Sequence, residues 1–254
     1  MSSRQYPKVW SKFERTVEGG RVLKFEIEDI PESMWRTAVE FMLGNYIRED
    51  VWWKAAGTAQ DPQAIEEYRV LLTSIIRQKM SLACFLTEGD GSGRTLVAVN
   101  MCIIQEKGRF VEHNPQNGQN ASYLRLANEL LPLVPKSKAG LVSLRMFAEA
   151  VKVSALYDKY DVTKYLMGAG LSVTPEYRGL GIAVEILRCR YELAKELALP
   201  ATGGIFTSAS AQRSAEKAGL DCLYQIPYKQ FGKLCNIQFD PSTEYLKIFG
   251  KKVE

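Results

Sequence analysis

The stretch from Lys164 to Leu197, KYLMGAGLSVTPEYRGLGIAVEILRCRYELAKEL, constrains this chain more than any other, because an extended run, a glycine-rich turn and an amphipathic helix follow one another without a break. Tyr165, Met167, Ala169, Leu171 and Val173 alternate with Gly168, Gly170 and Ser172, which predicts a strand with the first set on one face. Pro175 ends it. In Arg178-Gly179-Leu180-Gly181-Ile182-Ala183 the glycines lack Cβ atoms, so backbone N–H groups can approach a ligand closely. Beyond Gly181, Ala183, Leu187, Tyr191, Ala194 and Ala198 recur at helical spacing. The free N–H groups and positive dipole end of that helix face the turn, an arrangement that suits a phosphate. The turn is not a Walker loop, for no Gly-Lys-Ser/Thr follows, and the dinucleotide fingerprint would need glycine at Val184.

A length of 254 residues with 46% apolar side chains is read as one elaborated domain, residues 21–254, preceded by an N-terminal arm, residues 1–20, with Trp10 and Phe13 as docking points. The formal charge of +4 is scattered, so no basic stripe points to nucleic acid. Five cysteines without a Cys-x-x-Cys pair, and a single histidine, His113, in a polar turn-rich segment, argue against a metal site and for a reducing compartment. No run approaches the length of a membrane span, and the expected location is the cytoplasm.

Around the central stretch, Arg21–Asp29 alternates as a first strand, and Pro31 opens a helix whose stripe of Trp35, Ala38, Val39, Met42 and Tyr46 leads to the acidic and aromatic cluster Arg48-Glu49-Asp50-Val51-Trp52-Trp53. Asp61-Pro62 caps a second helix. Residues 82–87 and 95–105 are extended, and Gly89-Asp90-Gly91-Ser92-Gly93 between them fits a hairpin connection better than a phosphate loop, since no helix follows it. A helix over 138–155, a strand over 201–207, a helix over 208–219 ended by Gly219, an extended run over 220–231 and a last strand over 244–249 complete the chain.

Arg178, Gly181 and Ala183 satisfy the Arg/Gln-x-x-Gly-x-Gly/Ala signature of the GCN5-related N-acetyltransferases, and the chain resembles that superfamily. Residues 171–177 resemble its fourth strand and exit, and Glu216-Lys217-Ala218-Gly219-Leu220 its Lys-x-Gly-Phe-like segment. The chain is most similar to the insect arylalkylamine N-acetyltransferase-like branch, through the cluster at Glu49-Asp50 and through Thr207-Ser208-Ala209-Ser210-Ala211-Gln212-Arg213. The resemblance implies an α/β (α+β) fold with a central, mostly antiparallel seven-stranded sheet that splays at its fourth and fifth strands. It implies acetyl-coenzyme A as donor, held by the amides of Arg178, Gly179, Leu180, Gly181, Ile182 and Ala183 and paired along Leu171, Ser172 and Val173. By position the general base falls on Asp50, with Glu49 beside it, and Ser208 stands near the thioester, where an N-cap is the competing role. Val51 replaces the proline that follows the acidic residue in the branch, Ala211 its second serine, and Ala215 the tyrosine acid of many superfamily members.

An alkylamine of pKa near 10 is neutral in about one molecule per thousand at pH 7, at a cost of about 4 kcal/mol, so a carboxylate that removes its proton is a chemical requirement. Trp52 and Trp53 would wall an aromatic or cationic acceptor or lie in the core. The expected acceptor is a small primary amine attacked in a ternary complex. A polyamine, an amino acid or a protein terminus would use the same residues, and a non-catalytic coenzyme-A-binding module would explain the three replacements.

Overall fold

The computed structural model describes residues 4–87, 93–107, 135–153 and 156–254. Among these residues eight strands form one sheet in the order β1-β2-β3-β4-β5-β6-β8-β7. They are β1 (Val9–Thr16), β2 (Val22–Asp29), β3 (Leu82–Thr87), β4 (Arg94–Glu106), β5 (Lys164–Val173), β6 (Ala201–Phe206), β7 (Asp221–Pro227) and β8 (Tyr245–Lys252). The expected α/β class holds with one strand more than the seven of the resemblance. The addition is β1, inside the segment read as an arm: Phe13 lies opposite Phe25 in the β1–β2 register, and Trp10 and Phe13 pack on the core.

In chain order the helices are α1 (Trp35–Gly44), α2 (Tyr46–Glu49), α3 (Val51–Ala56), α4 (Pro62–Ile76), α5 (Lys138–Lys152), α6 (Leu156–Tyr160), α7 (Ile182–Glu196), α8 (Ala209–Lys217) and α9 (Tyr228–Cys235). Asp61 caps α4 as its position predicts, accepting from Gln63 N and Ala64 N at 3.1 Å. The alternation of β2 divides the core. Leu23, Phe25 and Ile27 join Leu166, Ile186 and Leu193 beneath α7, while α1 and α4 cover the opposite face with Val39, Met42, Leu72 and Ile76. The buried face of α7 is Ile182, Ile186, Leu187, Cys189, Arg190, Leu193 and Ala194, rotated by about one residue from the expected stripe. The run over 220–231 is extended only as far as Pro227. From Tyr228 it is helical, because Tyr228, Phe231 and Cys235 recur at helical spacing and are buried together. Most of the Gly89–Gly93 connection, and His113, lie outside the described residues.

Two departures from regular pairing shape the centre of the sheet. Leu171 pairs with Asn100 and Gly168 with Cys102, so β5 carries one residue more than β4 between these rungs, a β-bulge. Gly170, at φ +125°, takes the backbone conformation that this requires, and a Cβ there would lie 2.7 Å from Cε1 of Tyr46. The bulge corrects the expected single face of β5. Met167 and Ala169 stay on the α1–α4 side, whereas Leu171 and Val173 pass to the side of α7. The second departure is a fork. β5 and β6 run parallel for only three rungs, Leu166 with Thr202, Met167 with Gly203 and Gly168 with Gly204, after which both strands continue unpaired with each other. This is the splay that the resemblance implies.

Candidate active site

Three structural elements converge on the open side of the fork. The first is the turn after β5. Gly179 and Gly181 sit at φ +82° and +80°, and no atom lies within 4 Å of a Cβ built on Gly179. Gly181 is the N-cap of α7 and offers no side-chain cap, and the first helical bond is donated by Glu185 N to Gly181 O at 3.1 Å. The preceding N–H groups therefore point out of the helix end beside a cationic rim. Arg15 of β1 donates from Nε to Leu180 O at 2.9 Å and pairs with Glu185 at 3.4 Å. Arg178 donates from Nε to Val173 O at 2.9 Å, while its Nη2 pairs with Glu49. The loop residues expected to hold a donor are thus together, and Arg15, from the segment read as an arm, is a neighbour that the sequence did not single out.

The second element is the junction of α2 and α3. Glu49 and Asp50 are adjacent in sequence and face different partners. Glu49 reaches the glycine turn through Arg178. Asp50 is the N-cap of α3, accepting from Trp52 N at 2.9 Å through Oδ1, while Oδ2 accepts from the Thr207 hydroxyl in a short hydrogen bond. Burial pushes the Asp50 carboxyl above the ordinary carboxylate range, against the hydrogen bonds from Thr207 and Trp52 that favour its charged form. The phenols of Tyr46 and Tyr228 are pushed up too, first by burial and then by the charge of Asp50, so both stay protonated at neutral pH.

The third element is the end of β6. Ile205 and Thr207 share a face and line the cavity described below, whereas Ser208 turns to cap α8, accepting from Ala211 N at 3.2 Å and lying 3.1 Å from the Ser210 hydroxyl. The structure gives the contact with Asp50 to Thr207, one residue before the serine selected from the sequence. Thr207 is fixed from behind. Its carbonyl accepts from the Tyr228 hydroxyl at 2.6 Å, and Gln212 donates to Phe206 O at 3.1 Å and Tyr245 O at 2.7 Å. The strand alternation that pairs Thr207 with Ile205 was the available signal.

Between these elements lies a cavity of about 270 Å³. Tyr46, Trp53, Tyr68, Leu72 and Phe147 form much of its wall, Met167, Gly168 and Ala169 bring it to the fork, and Thr207 supplies a hydroxyl. Trp53 stands edge-on to both Tyr46 and Tyr68, at centroid separations of 5.8 and 4.7 Å. Trp53 therefore lines the cavity as expected, and Trp52 is buried against Phe231 as well. Glu67 also borders the cavity, but its carboxylate accepts from Lys136 N, Ser137 N and the Ser137 hydroxyl at the start of α5. No cysteine lines the cavity; burial pushes the thiols of Cys102 and Cys189 up to about 12 and that of Cys235 to about 11. Among the described residues there is no group of three metal-ligating side chains and no helix long and apolar enough to cross a membrane.

A protein of the yellow fever mosquito assigned as arylalkylamine N-acetyltransferase 7 superimposes with a TM-score of 0.74 at 24% identity, covering 100% of this chain and 98% of that one. This chain has the N-acetyltransferase fold. Arylalkylamine N-acetyltransferase 2 of Aedes aegypti matches at 0.68 and 19% identity, over 91% of this chain and 99% of its own. The Drosophila melanogaster polyamine N-acetyltransferase that forms N-acetylagmatine matches at 0.68 and 15%, over 90% and 99%. No protein-family model and no curated protein sequence matches the chain. In this fold β5, with its bulge, and β6 are the splayed pair of central strands, and the glycine turn opens the helix that connects them.

Proposed function

We propose that the chain is an N-acetyltransferase that moves an acetyl group from acetyl-coenzyme A to a small primary amine of the arylalkylamine class, by direct attack in a ternary complex. The observation that carries this reading is the hydrogen bond from Thr207 to Asp50, because it joins a buried carboxylate to a cavity that ends at the fork. The residues fit the donor. Gly179 leaves open space and Gly181 lies against the Arg15 guanidinium at the amides that would meet the pyrophosphate, Arg15 and Arg178 add positive charge beside them, and β5 beyond Gly168 is not paired with β6, which leaves that edge for the pantetheine arm once Arg178 yields Val173 O.

When bound, the donor supplies a thioester carbonyl activated toward amines. The chain supplies the rest. Trp53, Tyr68 and Phe147 take up the aromatic part of the acceptor by apolar burial, which orients its amine toward Thr207. The Thr207 oxygen accepts a proton from that amine while its own hydrogen moves to Asp50 Oδ2, so the acceptor becomes neutral inside the site. A raised carboxyl pKa makes Asp50 a stronger base than an exposed aspartate. The thiols at about 11 to 12 are poor nucleophiles, which favours direct attack over an acetylated enzyme.

The Drosophila neighbour is named for a polyamine. An aryl acceptor fits this chain better, because Glu67, the carboxylate that borders the cavity, has its oxygens engaged by α5. The test is thiol release from acetyl-coenzyme A with a panel of arylalkylamines, polyamines and amino acids. Turnover is expected to be fastest with arylalkylamines. Tight donor binding with no turnover on any amine would replace the enzyme with a coenzyme-A-binding module.

A further inference from the structure

Arg190 of α7 is a buried cation with open donors where β5 and β6 part. It is 2% exposed, and among the described residues its Nε and Nη2 hydrogens have no acceptor. A Cβ on Gly168 would coincide with its guanidinium, so the missing side chain of Gly168 is what admits it. Gly168 belongs to the last rung between β5 and β6. The ionisable groups whose charge Arg190 feels are Cys102 and Tyr165, a thiol and a phenol, with no carboxylate among them. A guanidinium keeps its charge in proteins, and a buried charge without an acceptor costs folding free energy. Such a group suits an anion that is present only during function.

The position along the helix says which anion. From Gly181 at the glycine turn to Arg190, α7 rises about 14 Å at 1.5 Å per residue. That is comparable to the reach of the arm that joins the pyrophosphate of coenzyme A to its sulfur. A donor anchored at the turn and laid along the open edge of β5 therefore brings its sulfur to the vertex of the fork, beside Arg190. In α8 the buried Ala215 stands where the resemblance places a tyrosine, so that position offers no proton donor.

We propose that Arg190 is a catalytic residue that stabilises the leaving sulfur of the acyl donor as a thiolate, through its free Nε–H and Nη2–H groups. The proposal rests on the acetyltransferase reading above. In the step, the neutral amine nitrogen bonds to the carbonyl carbon, the carbon–sulfur bond breaks and its electron pair remains on sulfur. Asp50 already holds the proton that the ammonium gave up through Thr207, so the second proton, lost from nitrogen as the amide forms, passes to water. The sulfur leaves charged, held by two charge-assisted hydrogen bonds, and takes a proton from water once released. Charge stabilisation by Arg190 thus replaces proton donation by a tyrosine.

The experiment compares equilibrium binding of coenzyme A and desulfo-coenzyme A, which lacks only the sulfur, to the unaltered protein, Arg190→Met and Arg190→Lys at pH 8. The unaltered protein is expected to prefer coenzyme A by about tenfold or more. Arg190→Met is expected to bind both ligands alike, and its kcat with the best amine to fall about 10²-fold to 10³-fold, the range for loss of a preorganised donor. Arg190→Lys keeps a charge and is expected to recover part of the preference. Because methionine removes an unpaired buried charge, Arg190→Met is expected to melt at or above the parent temperature, which reports that it folds. If Arg190→Met keeps the preference, or weakens both ligands equally, this proposal alone is overturned. If neither ligand binds the unaltered protein, the donor assignment fails and takes the proposal with it.

Discussion

The hydroxyl of Thr207 donates to the carboxylate of Asp50 across 157 positions of sequence, tying the end of β6 to the start of α3. Thr207 faces the cavity and Asp50 lies behind it, so on the proposed function an amine in the cavity meets Asp50 through the threonine oxygen. Asp50→Asn is expected to lower kcat/KM for the amine about 10²-fold to 10⁴-fold, the usual contribution of a positioned base, with little change in donor binding. Thr207→Val is expected to lower it comparably, and Thr207→Ser, which keeps the hydroxyl, to retain most of it. Steady-state kinetics with the best amine checks all three. Full activity of Asp50→Asn at pH 7 would end its assignment as base.

The same carboxylate carries a stability prediction of definite sign. Its folded pKa is raised by burial, so the folded chain holds this proton more tightly than the unfolded chain, where the value is about 3.9. The resulting stability is fully present below pH 3.9 and is lost as pH rises through the raised folded value. Asp50→Asn has no such loss. Thermal melts of the two proteins are therefore expected to diverge in favour of Asp50→Asn as pH rises through this window, while the amine rate of the unaltered protein climbs. A constant difference in melting temperature across that window would contradict the raised pKa.

Glu49 and Arg178 form an ion pair at the rim of the glycine turn, with side chains 44% and 48% exposed. Pairs this open contribute little to folding. Their effect falls on binding, because Glu49 neutralises a cation beside the proposed phosphate site. Glu49→Gln is expected to tighten coenzyme A severalfold at low salt, with the gain shrinking toward 0.5 M salt as screening takes over, and to leave the KM of the amine unchanged. Titration calorimetry at two ionic strengths reads this directly. Weaker donor binding in Glu49→Gln would indicate that the pair holds the turn in shape.

Gly170 is required twice, by its φ of +125° and by the ring of Tyr46 that occupies the space of a side chain. Gly170→Ala is expected to destabilise the protein by about 1–3 kcal/mol and to move Tyr46 into the cavity. Denaturant unfolding gives the first quantity, and a raised KM for the amine would report the second. Gly179→Ala offers a contrast at a φ of +82°, since open space surrounds Gly179 and its cost is backbone strain alone.

The glycine turn, α7 and the strand before it were legible because glycine placement and helical spacing are local signals. The cap at Asp61 was legible for the same reason. What escaped depended on contacts between distant segments. β1 pairs with β2 at the sheet edge, and its half-exposed pattern reads equally well as a polar arm. The bulge could not be told from regular strand, since a glycine in an extended run fits either. Thr207 and Ser208 are chemically alike, and only the direction in which β6 ends gives the first to Asp50 and the second to α8. Arg190 lay at what reads as the polar boundary of an amphipathic helix, and its burial follows from the small rotation of α7 beneath the sheet.

The fork also bears on folding. The strands on its two sides, β1 to β5 and β6 to β8, are joined by only three rungs, so the sheet is nearly two sheets. On the proposed function, a donor laid along β5 acts as a missing strand and completes hydrogen bonding that the polypeptide leaves undone. Folding and donor supply are then linked by mass action, with a stabilisation of about 2.7 kcal/mol when the ligand stands at a hundred times its dissociation constant. A cell short of acetyl-coenzyme A would hold a looser population of this protein, more open to proteolysis, and its abundance would follow the metabolic state before any change in expression.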